Sequence, residues 1–238
     1  MKINAKDIDY KSLNQKVRNS KSDVVLDECC GQRFVGTNLK SKNMKIYGTP
    51  GNALGSYLNG ATIEVFGNVQ DAVGDTMNEG RLVVHGNAGD ALGYAMRGGA
   101  IFIEGDAGYR TGIHMKEYEE KKPVIIVGGK AGSFLGEYLA GGLIVVLGQN
   151  TESVPVGNFT GTGMHGGEIF IRTDSDLKGL PSQVAVDVAS LDDLEVIKPY
   201  LEEYAKYFNL SAKQLLKDRF LVLRPDAKNP YHQLYVAN

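Results

Sequence analysis

The chain contains little proline, few cysteines and no block of basic charge. Its 238 residues include 7 prolines against 30 glycines, which is not the composition of a disordered chain rich in both residues. The glycines therefore indicate an ordered protein with many tight turns. Hydrophobic residues make up 42% of the chain and charged residues 23%, which is typical of a globular protein. We expect one large domain, or one domain with small additions.

The missing features also exclude several classes of function. Basic and acidic residues nearly balance, at 26 and 28, which argues against nucleic acid or an anionic membrane as a dedicated partner. The most apolar uncharged run, residues 138–148, is far shorter than the roughly 20 residues of a membrane-spanning helix. The N-terminus lacks the apolar region of a secretory signal. Cys29 and Cys30 are adjacent, which suits neither a disulfide framework nor a metal knuckle. We expect a cytoplasmic protein.

A repeat of 19 residues runs through the middle of the chain. Four segments that begin at Met44, Ile63, Leu82 and Ile101 superimpose without gaps, and two more follow with insertions. Each copy places apolar residues four and two positions before a glycine, a period-two pattern that predicts one strand face. These triplets are Met44, Ile46, Gly48; Ile63, Val65, Gly67; Leu82, Val84, Gly86; Ile101, Ile103, Gly105; Val124, Ile126, Gly128; and Ile144, Val146, Gly148.

A second glycine column is followed three residues later by a third apolar column. The pairs are Gly55 and Leu58, Gly74 and Met77, Gly93 and Met96, Gly112 and Met115, Gly136 and Leu139, and Gly161 and Met164. If short strands are joined by sharp corners at the glycines, the chain completes one coil per repeat. The pattern therefore predicts an all-β fold, a parallel β-helix whose successive coils lie about 4.8 Å apart. We place it at residues 24–172. Two other repeat folds fit less well. The sequence has no asparagine ladder, which a leucine-rich repeat requires, and the blades of a propeller need about twice this period.

The flanking residues are predicted to cap the ends of this solenoid. Residues 1–23 form an N-terminal capping segment with a short helix, and residues 173–238 form an α/β C-terminal extension. In the N-terminal segment, the sequence predicts a helix from Asp9 to Asn19. In the C-terminal extension, a capping box of Ser190 and Asp193 opens a helix that Pro199 should bend or divide. A short helix capped by Ser211 and a strand from Phe220 follow.

No group of residues forms a convincing catalytic or metal site. The histidines His85, His114, His165 and His232 are too few and too far apart for a metal set. The GxGxxG match at residues 161–166 falls in the repeat columns and does not open a helix, as a dinucleotide fold requires. No triad of nucleophile, base and orienting residue can be assembled. We predict no catalytic, cofactor-binding or metal-binding residue in this chain.

One stretch breaks the regular surface. Residues 108–123 carry a five-residue excess and should protrude as a loop, and a second insertion covers residues 151–156. Inserted loops on solenoids often form binding faces, although a solvated charge cluster would have the same composition. The candidate partner interface consists of Arg97, Tyr109, Arg110, His114, Lys116, Tyr118 and His165.

Several turn sequences resemble a known repeat domain. The segments GNVQDAVGDTMNEG, GDALGYAMRGG, GYRTGIHMKEY, FLGEYLAGG and TGMHGG are similar to the GXGXG-repeat domain at the C-terminus of the large (alpha) subunit of glutamate synthase. The resemblance covers about residues 24–172, and a more distant similarity exists to the formylmethanofuran dehydrogenase subunit that carries the same repeat. It implies that the β-helix is right-handed and contributes no catalytic residues.

The resemblance implies a stand-alone, non-catalytic structural subunit of a split glutamate synthase. Such a subunit would bridge a glutaminase (amidotransferase) chain and an FMN-binding synthase chain and support glutamine amide transfer to 2-oxoglutarate, in glutamate biosynthesis and ammonia assimilation. FMN and iron–sulfur centres would lie on the partners, with NADPH or ferredoxin as electron donor.

This chain departs from a complete synthase, because Lys2 follows Met1 where a glutaminase has its cysteine nucleophile. We expect no activity from it alone, and homo-oligomers are possible. The alternatives are a scaffold subunit of a formylmethanofuran dehydrogenase-like complex, or an independent β-helix enzyme acting on polysaccharide.

Overall fold

The computed structural model describes residues 1–149 and 151–226. Its framework is a sheet of 11 strands in which β1 to β9 are parallel neighbours in chain order, followed by β11 and then β10. The strands are β1 Lys2–Asn4, β2 Val24–Cys30, β3 Asn43–Thr49, β4 Asn59–Phe66, β5 Glu79–Val84, β6 Ala100–Ile103, β7 Val124–Val127, β8 Ala140–Val146, β9 Gly166–Arg172, β10 Val184–Val188 and β11 Phe220–Pro225. The helices are α1 Tyr10–Asn19, α2 Leu191–Tyr207 and α3 Ala212–Leu215.

The chain winds into a parallel β-helix, as the repeat predicts. The solenoid has about 8 turns with successive coils about 19 residues apart, and a second side of the coils carries its own ladder of single parallel bridges. This ladder joins Val69, Ala88, Ala107, Ala131 and Val156 in order. Since equivalent residues of neighbouring coils lie above one another, each sequence column becomes a row along the solenoid axis.

The interior contains the apolar columns. Met44 pairs with Ile63 and Leu82 with Ile101, and these side chains are fully buried or nearly so. The third column is also buried along its whole length, from Leu58 to Met164. This burial confirms the predicted core of the first four repeats.

The fifth repeat differs from the prediction by one residue. Val124 and Ile126 were expected inside, but Ile101 pairs with Ile125 and Ile103 pairs with Val127. Ile125 and Val127 therefore face the interior, while Val124 and Ile126 face outward into a second core. The sequence could not resolve this choice because all four residues of β7 are buried and apolar, so the period-two alternation disappears. Gly129 therefore replaces Gly128 in the first glycine column.

The second core lies between the outer face of the sheet and α2. Ile197, Leu201 and Tyr204 of the helix are fully buried against Phe102 and Phe170 of the sheet, among other residues. These helical positions are spaced by four and three residues and so form one apolar stripe. The helix begins beside β10 and β11 and ends over β5, where Arg81 Nε lies 2.6 Å from Glu203 Oε1. On the sheet side, the buried residues of this second core begin at Val83 of β5.

The N-terminal end is closed by β1 and α1. The side chain of Asp9 caps α1 by accepting hydrogen bonds from the backbone N–H groups of Lys11 and Ser12, which confirms the predicted helix. β1 pairs in parallel with β2, and the sequence reasoning missed it because three residues give no readable alternation.

The C-terminal end agrees with most of the predicted signals. Ser190 and Asp193 form the capping box of α2, and β11 begins at Phe220 as predicted. The helix runs through Pro199 without dividing, because the apolar stripe on both sides of the proline packs on the same sheet. Ser211 precedes α3, but its side chain makes no capping hydrogen bond. Among the described residues no helix has both the length and the apolarity needed to cross a bilayer.

Candidate partner interface

Each coil turns through a corner in which three alternate residues have positive φ. In one such corner Ala91, Gly93 and Ala95 have φ values of 54°, 68° and 50°. The central position is glycine because a Cβ atom there would enter the core: at Gly93 it would overlap Ile125 Cδ1. The flanking positions accept side chains. Those flanking pairs are Phe34 and Asn38, Ala53 and Tyr57, Ala72 and Thr76, Ala91 and Ala95, Arg110 and His114, Phe134 and Tyr138, and Phe159 and Gly163.

The corners carry a row of exposed aromatic rings, which we call the aromatic edge. Its members are Phe34, Tyr57, Tyr94, Tyr109, Tyr138 and Phe159, with exposed fractions between 41% and 54%. Rings in equivalent positions of adjacent coils can stack, and the centroids of Phe134 and Phe159 are 5.0 Å apart. Exposed aromatic side chains grouped in this way are typical of protein interaction surfaces. Most of these rings were missed by the sequence reasoning, although their positions beside the second glycine column are visible in the repeat.

Arg110 and His114 lie within the aromatic edge. The Arg110 guanidinium carbon lies 4.8 Å from the centroid of the Phe134 ring, and its Nε is 3.0 Å from Glu137 Oε2. The His114 ring stacks on Tyr138 at 5.1 Å and meets the edge of Tyr94 at 5.9 Å. The side chains of Arg110 and His114 are thus each held against an aromatic ring of a neighbouring coil. This contact limits the rotamer freedom of both side chains before any partner binds.

Arg97, Lys116 and His165 share a different column beside this edge. Their backbone N–H groups make the same kind of bond to the preceding coil: Arg97 to Met77 O at 2.8 Å and Lys116 to Met96 O at 3.0 Å. Arg97 and Lys116 are exposed in adjacent coils and have no ion-pair partner among the described residues. His165 is partly buried, with Nδ1 3.1 Å from Gly163 O.

The first insertion, within residues 108–123, is anchored to the solenoid on both sides of its turn. Tyr118 and Lys121 form an antiparallel bridge, Glu117 Oε1 accepts a hydrogen bond from the Gly142 N–H at 3.0 Å, and Lys121 Nζ lies 3.3 Å from Glu79 Oε2. The expected protruding loop is therefore a short, anchored hairpin. Tyr118, which pairs with Lys121 across this hairpin, is 53% exposed.

The second insertion lies elsewhere. Residues 151–156 follow the end of β8, whereas the first insertion precedes β7, so the two lie at opposite ends of the strands. Thr151 and Ser153 line a cavity of about 280 Å³ together with Arg172 and Asp218.

The turn aspartates have a structural role. Asp71, Asp90 and Asp106 each accept a hydrogen bond from an N–H of the next coil. The bonds are Asp90 N to Asp71 Oδ1 at 2.9 Å, Tyr109 N to Asp90 Oδ1 at 2.8 Å, and Lys130 N to Asp106 Oδ1 at 2.7 Å. These carboxylates therefore link successive coils by satisfying buried or turn N–H groups.

The thiol of Cys29 and the ring of His85 both make contacts within the fold. Burial raises the pKa of the Cys29 thiol to about 11, so the thiolate is disfavoured. The ring of His85 stacks on Phe66 at 4.7 Å, and its Nε2 lies 3.0 Å from Glu64 Oε1. His232 lies outside the described residues. Within residues 1–149 and 151–226, no three His, Cys, Asp or Glu side chains form a metal-binding group.

The repeat that builds these corners also defines a family. The sequence matches the GXGXG motif family over residues 4–225. The chain belongs to the GXGXG family. A relative in this comparison is "Uncharacterized protein MJ1350" of Methanocaldococcus jannaschii, which is 42% identical over 251 residues that cover 99% of this chain and 96% of the relative.

A solved structure shares the fold of this chain. It is a chain of the formyltransferase/hydrolase complex (FhcABCD) from Methylorubrum extorquens in complex with methylofuran. The TM-score is 0.67 with 19% sequence identity, and the match covers 92% of this chain and 89% of that chain. At this identity the similarity establishes the shared fold.

Proposed function

We propose that this GXGXG chain is a non-catalytic structural subunit that holds partner enzyme chains in a split glutamate synthase. The observation that carries the proposal is the aromatic edge together with Arg97 and Lys116, two neighbouring cations that form no ion pair with the described residues. Aromatic rings and arginine are the side chains enriched at the centres of protein interfaces. The similarity of the turn sequences to the glutamate synthase domain supports the choice of assembly.

In this proposal the solenoid acts as a rigid spacer. One partner is a glutaminase chain that releases ammonia, and the other is an FMN-binding synthase chain that adds it to 2-oxoglutarate. FMN and the iron–sulfur centres are carried by partners. The contacts of this subunit fix the relative positions of the two enzymes, and the assembly works in the cytoplasm.

A second candidate function is favoured by one observation. The solved chain that shares this fold, and that is matched over 89% of its length, belongs to a formyltransferase/hydrolase complex of several chains. A scaffold role in a complex of that kind requires the same surface but different partners.

Affinity purification of the tagged protein from its native cells separates these candidates. Mass spectrometry identifies the co-eluting chains, and the eluate is assayed for glutamate synthesis that depends on glutamine. Recovery of a glutaminase and an FMN protein with this activity supports the proposal. Recovery of formyltransferase or hydrolase chains favours the second candidate, and a protein without partners contradicts both.

A further inference from the structure

The N-terminal part of the chain carries an excess of cations. Residues 1–63 contain 10 of the 26 Lys and Arg residues but only 5 of the 28 Asp and Glu residues, which leaves 16 and 23 for residues 64–238. No acidic residue occurs between Asp9 and Asp23 or between Glu28 and Glu64. These cations are scattered along the sequence, so they form no basic block.

The fold draws several of these residues to one side of the solenoid. Lys42 Nζ donates hydrogen bonds to Val17 O at 3.1 Å and Arg18 O at 3.0 Å, which joins the chain before β3 to the last turn of α1. Asn14 Nδ2 donates to Arg33 O at 3.0 Å, which fixes the helix beside the first corner. The C-terminal turn of α1 therefore lies next to the first coils.

A groove of about 670 Å³ lies at this junction. Its lining consists of Arg18, Thr37, Asn38, Leu39, Tyr57 and Asn78. Thr37 to Leu39, Tyr57 and Asn78 belong to three successive coils, so the groove crosses about 10 Å along the axis at a coil spacing of about 4.8 Å. Four extended residues would span this distance.

The groove contains polar groups that the described protein leaves unused. Arg18 has no carboxylate partner and the Asn38 side chain has no hydrogen bond among the described residues. Tyr57 is 51% exposed and offers a flat ring beside them. A guanidinium binds carboxylates, side-chain amides match a peptide backbone, and an exposed ring packs on apolar side chains.

We propose that this groove binds an extended, acidic peptide segment of a partner protein. The open shape favours a chain over a small molecule, because small ligands bind in concave sites that enclose most of their surface. Arg18 lines the groove and Lys42 lies beside it, and these two charges from the cation-rich N-terminal part attract acidic segments. This inference rests on the proposed function only in that the segment belongs to a subunit of the assembly. It adds a specific peptide contact at the N-terminal part of the aromatic edge, to which Tyr57 belongs.

Fluorescence anisotropy with the purified full chain tests the inference. The probe is a fluorescein-labelled decapeptide of alternating glutamate and glycine, and the control peptide replaces each glutamate with glutamine. We expect saturable binding of the acidic peptide that weakens as salt is added. Arg18→Glu should weaken it about tenfold or more, since it replaces attraction with repulsion.

Lys206→Glu is the matched control, because Lys206 and Arg18 both lie in the last turn of a helix. Replacing either cation with glutamate therefore causes the same unfavourable interaction with the helix dipole. It should change the affinity by less than about twofold, as expected for an exposed charge that does not line the groove. Tyr57→Ala should weaken binding without a change in charge, which separates the groove from a general electrostatic effect.

Four results would overturn the inference: no saturable binding, equal affinity for the glutamine peptide, equal effects of Arg18→Glu and Lys206→Glu, or tighter binding of inorganic phosphate or of a ten-nucleotide oligothymidylate. Peptide binding is measured without any partner. Its failure beside a successful co-purification therefore removes this groove and leaves the scaffold function in place.

Discussion

A Cβ atom on Gly93 would overlap Cδ1 of Ile125, an inward-facing residue on the strand two coils further along the chain. The same relationship joins Gly74 to Ile101 and Gly112 to Ile144. Two independent reasons therefore require glycine at the centre of the corner: its positive φ and the close packing of the core against its Cα. This explains why the repeat keeps glycine there while the flanking positions, also at positive φ, vary freely.

Gly93→Ala should lower the free energy of unfolding by about 3 kcal/mol. A left-handed conformation costs an L-residue about 1–2 kcal/mol, and overpacking a core adds about 1–3 kcal/mol. Ala91→Gly is the matched control in the same corner, since Ala91 has φ of 54° and its Cβ does not enter the core. It should be neutral or stabilising in urea denaturation. Equal destabilisation by both variants would contradict the packing explanation.

Asp193→Ala should destabilise the protein by about 1–2 kcal/mol through the start of α2. Asp193 Oδ2 accepts hydrogen bonds from the Ser190 N–H at 2.7 Å and from its hydroxyl at 2.8 Å, and Oδ1 contacts Arg224. Asp192→Ala removes an exposed acid from the same helical turn and serves as the control. Urea denaturation at neutral pH gives both differences, and a loss from Asp192→Ala as large as that from Asp193→Ala would refute this role.

The effect of Asp193 should depend on pH. The Ser190 N–H, then its hydroxyl, and then Arg224 lower the pKa of Asp193 below its ordinary value of 3.8. The stabilisation is therefore complete above the pKa of the unfolded state and disappears as the pH falls through the lower pKa of the folded state. The difference between wild type and Asp193→Ala should shrink below about pH 4. A difference that grows on acidification would have the wrong sign for this account.

The two adjacent cysteines should react very differently. Burial raises the pKa of Cys29 to about 11, whereas Cys30 is exposed on the opposite face of β2. Iodoacetamide at pH 8 should modify Cys30 in the folded protein and reach Cys29 only after denaturation. Peptide mass spectrometry locates the adducts, and Cys30→Ser should abolish the fast reaction. Rapid modification of Cys29 in the folded chain would contradict its protection by the core.

The β-helix could be predicted because its columns repeat the same physical requirement in every coil. A single strand such as β7 is ambiguous, yet the third apolar column continues on both sides of it, at Met115 before the strand and Leu139 after it. The one-residue error at Val124 arose where α2 buries the second face of the sheet, since local periodicity then carries no information on direction. The position of α2 itself depends on long-range packing that no single segment encodes.

The interface could be predicted only in part. Residues such as Tyr109 and Tyr118 stood out because they lie in or beside an insertion. Tyr57, Tyr94 and Phe159 did not, because an exposed ring in a regular repeat resembles any other variable position. Their grouping appears only when the coils are stacked and the corner columns align along the axis.

Joint reversal of Arg97 and Lys116 should weaken partner recovery about tenfold or more while leaving the fold intact. Both side chains are exposed and unpaired in the described structure, so Arg97→Glu with Lys116→Glu removes no internal contact. The matched control is Lys206→Glu with Lys178→Glu, which makes the same change in net charge. Quantitative mass spectrometry of tagged-protein eluates measures the partners, and thermal unfolding checks the fold. Equal recovery with both double variants would exclude this face as the docking site.

Reconstitution from purified chains tests the scaffold role most directly. The glutaminase and the FMN-binding synthase are mixed with and without this chain, and glutamate formation is followed with glutamine and, separately, with free ammonia as the nitrogen source. We predict that the chain raises the glutamine-dependent rate at least about tenfold while changing the ammonia-dependent rate much less, because it positions two enzymes and performs no chemistry. An unchanged glutamine-dependent rate would contradict the account.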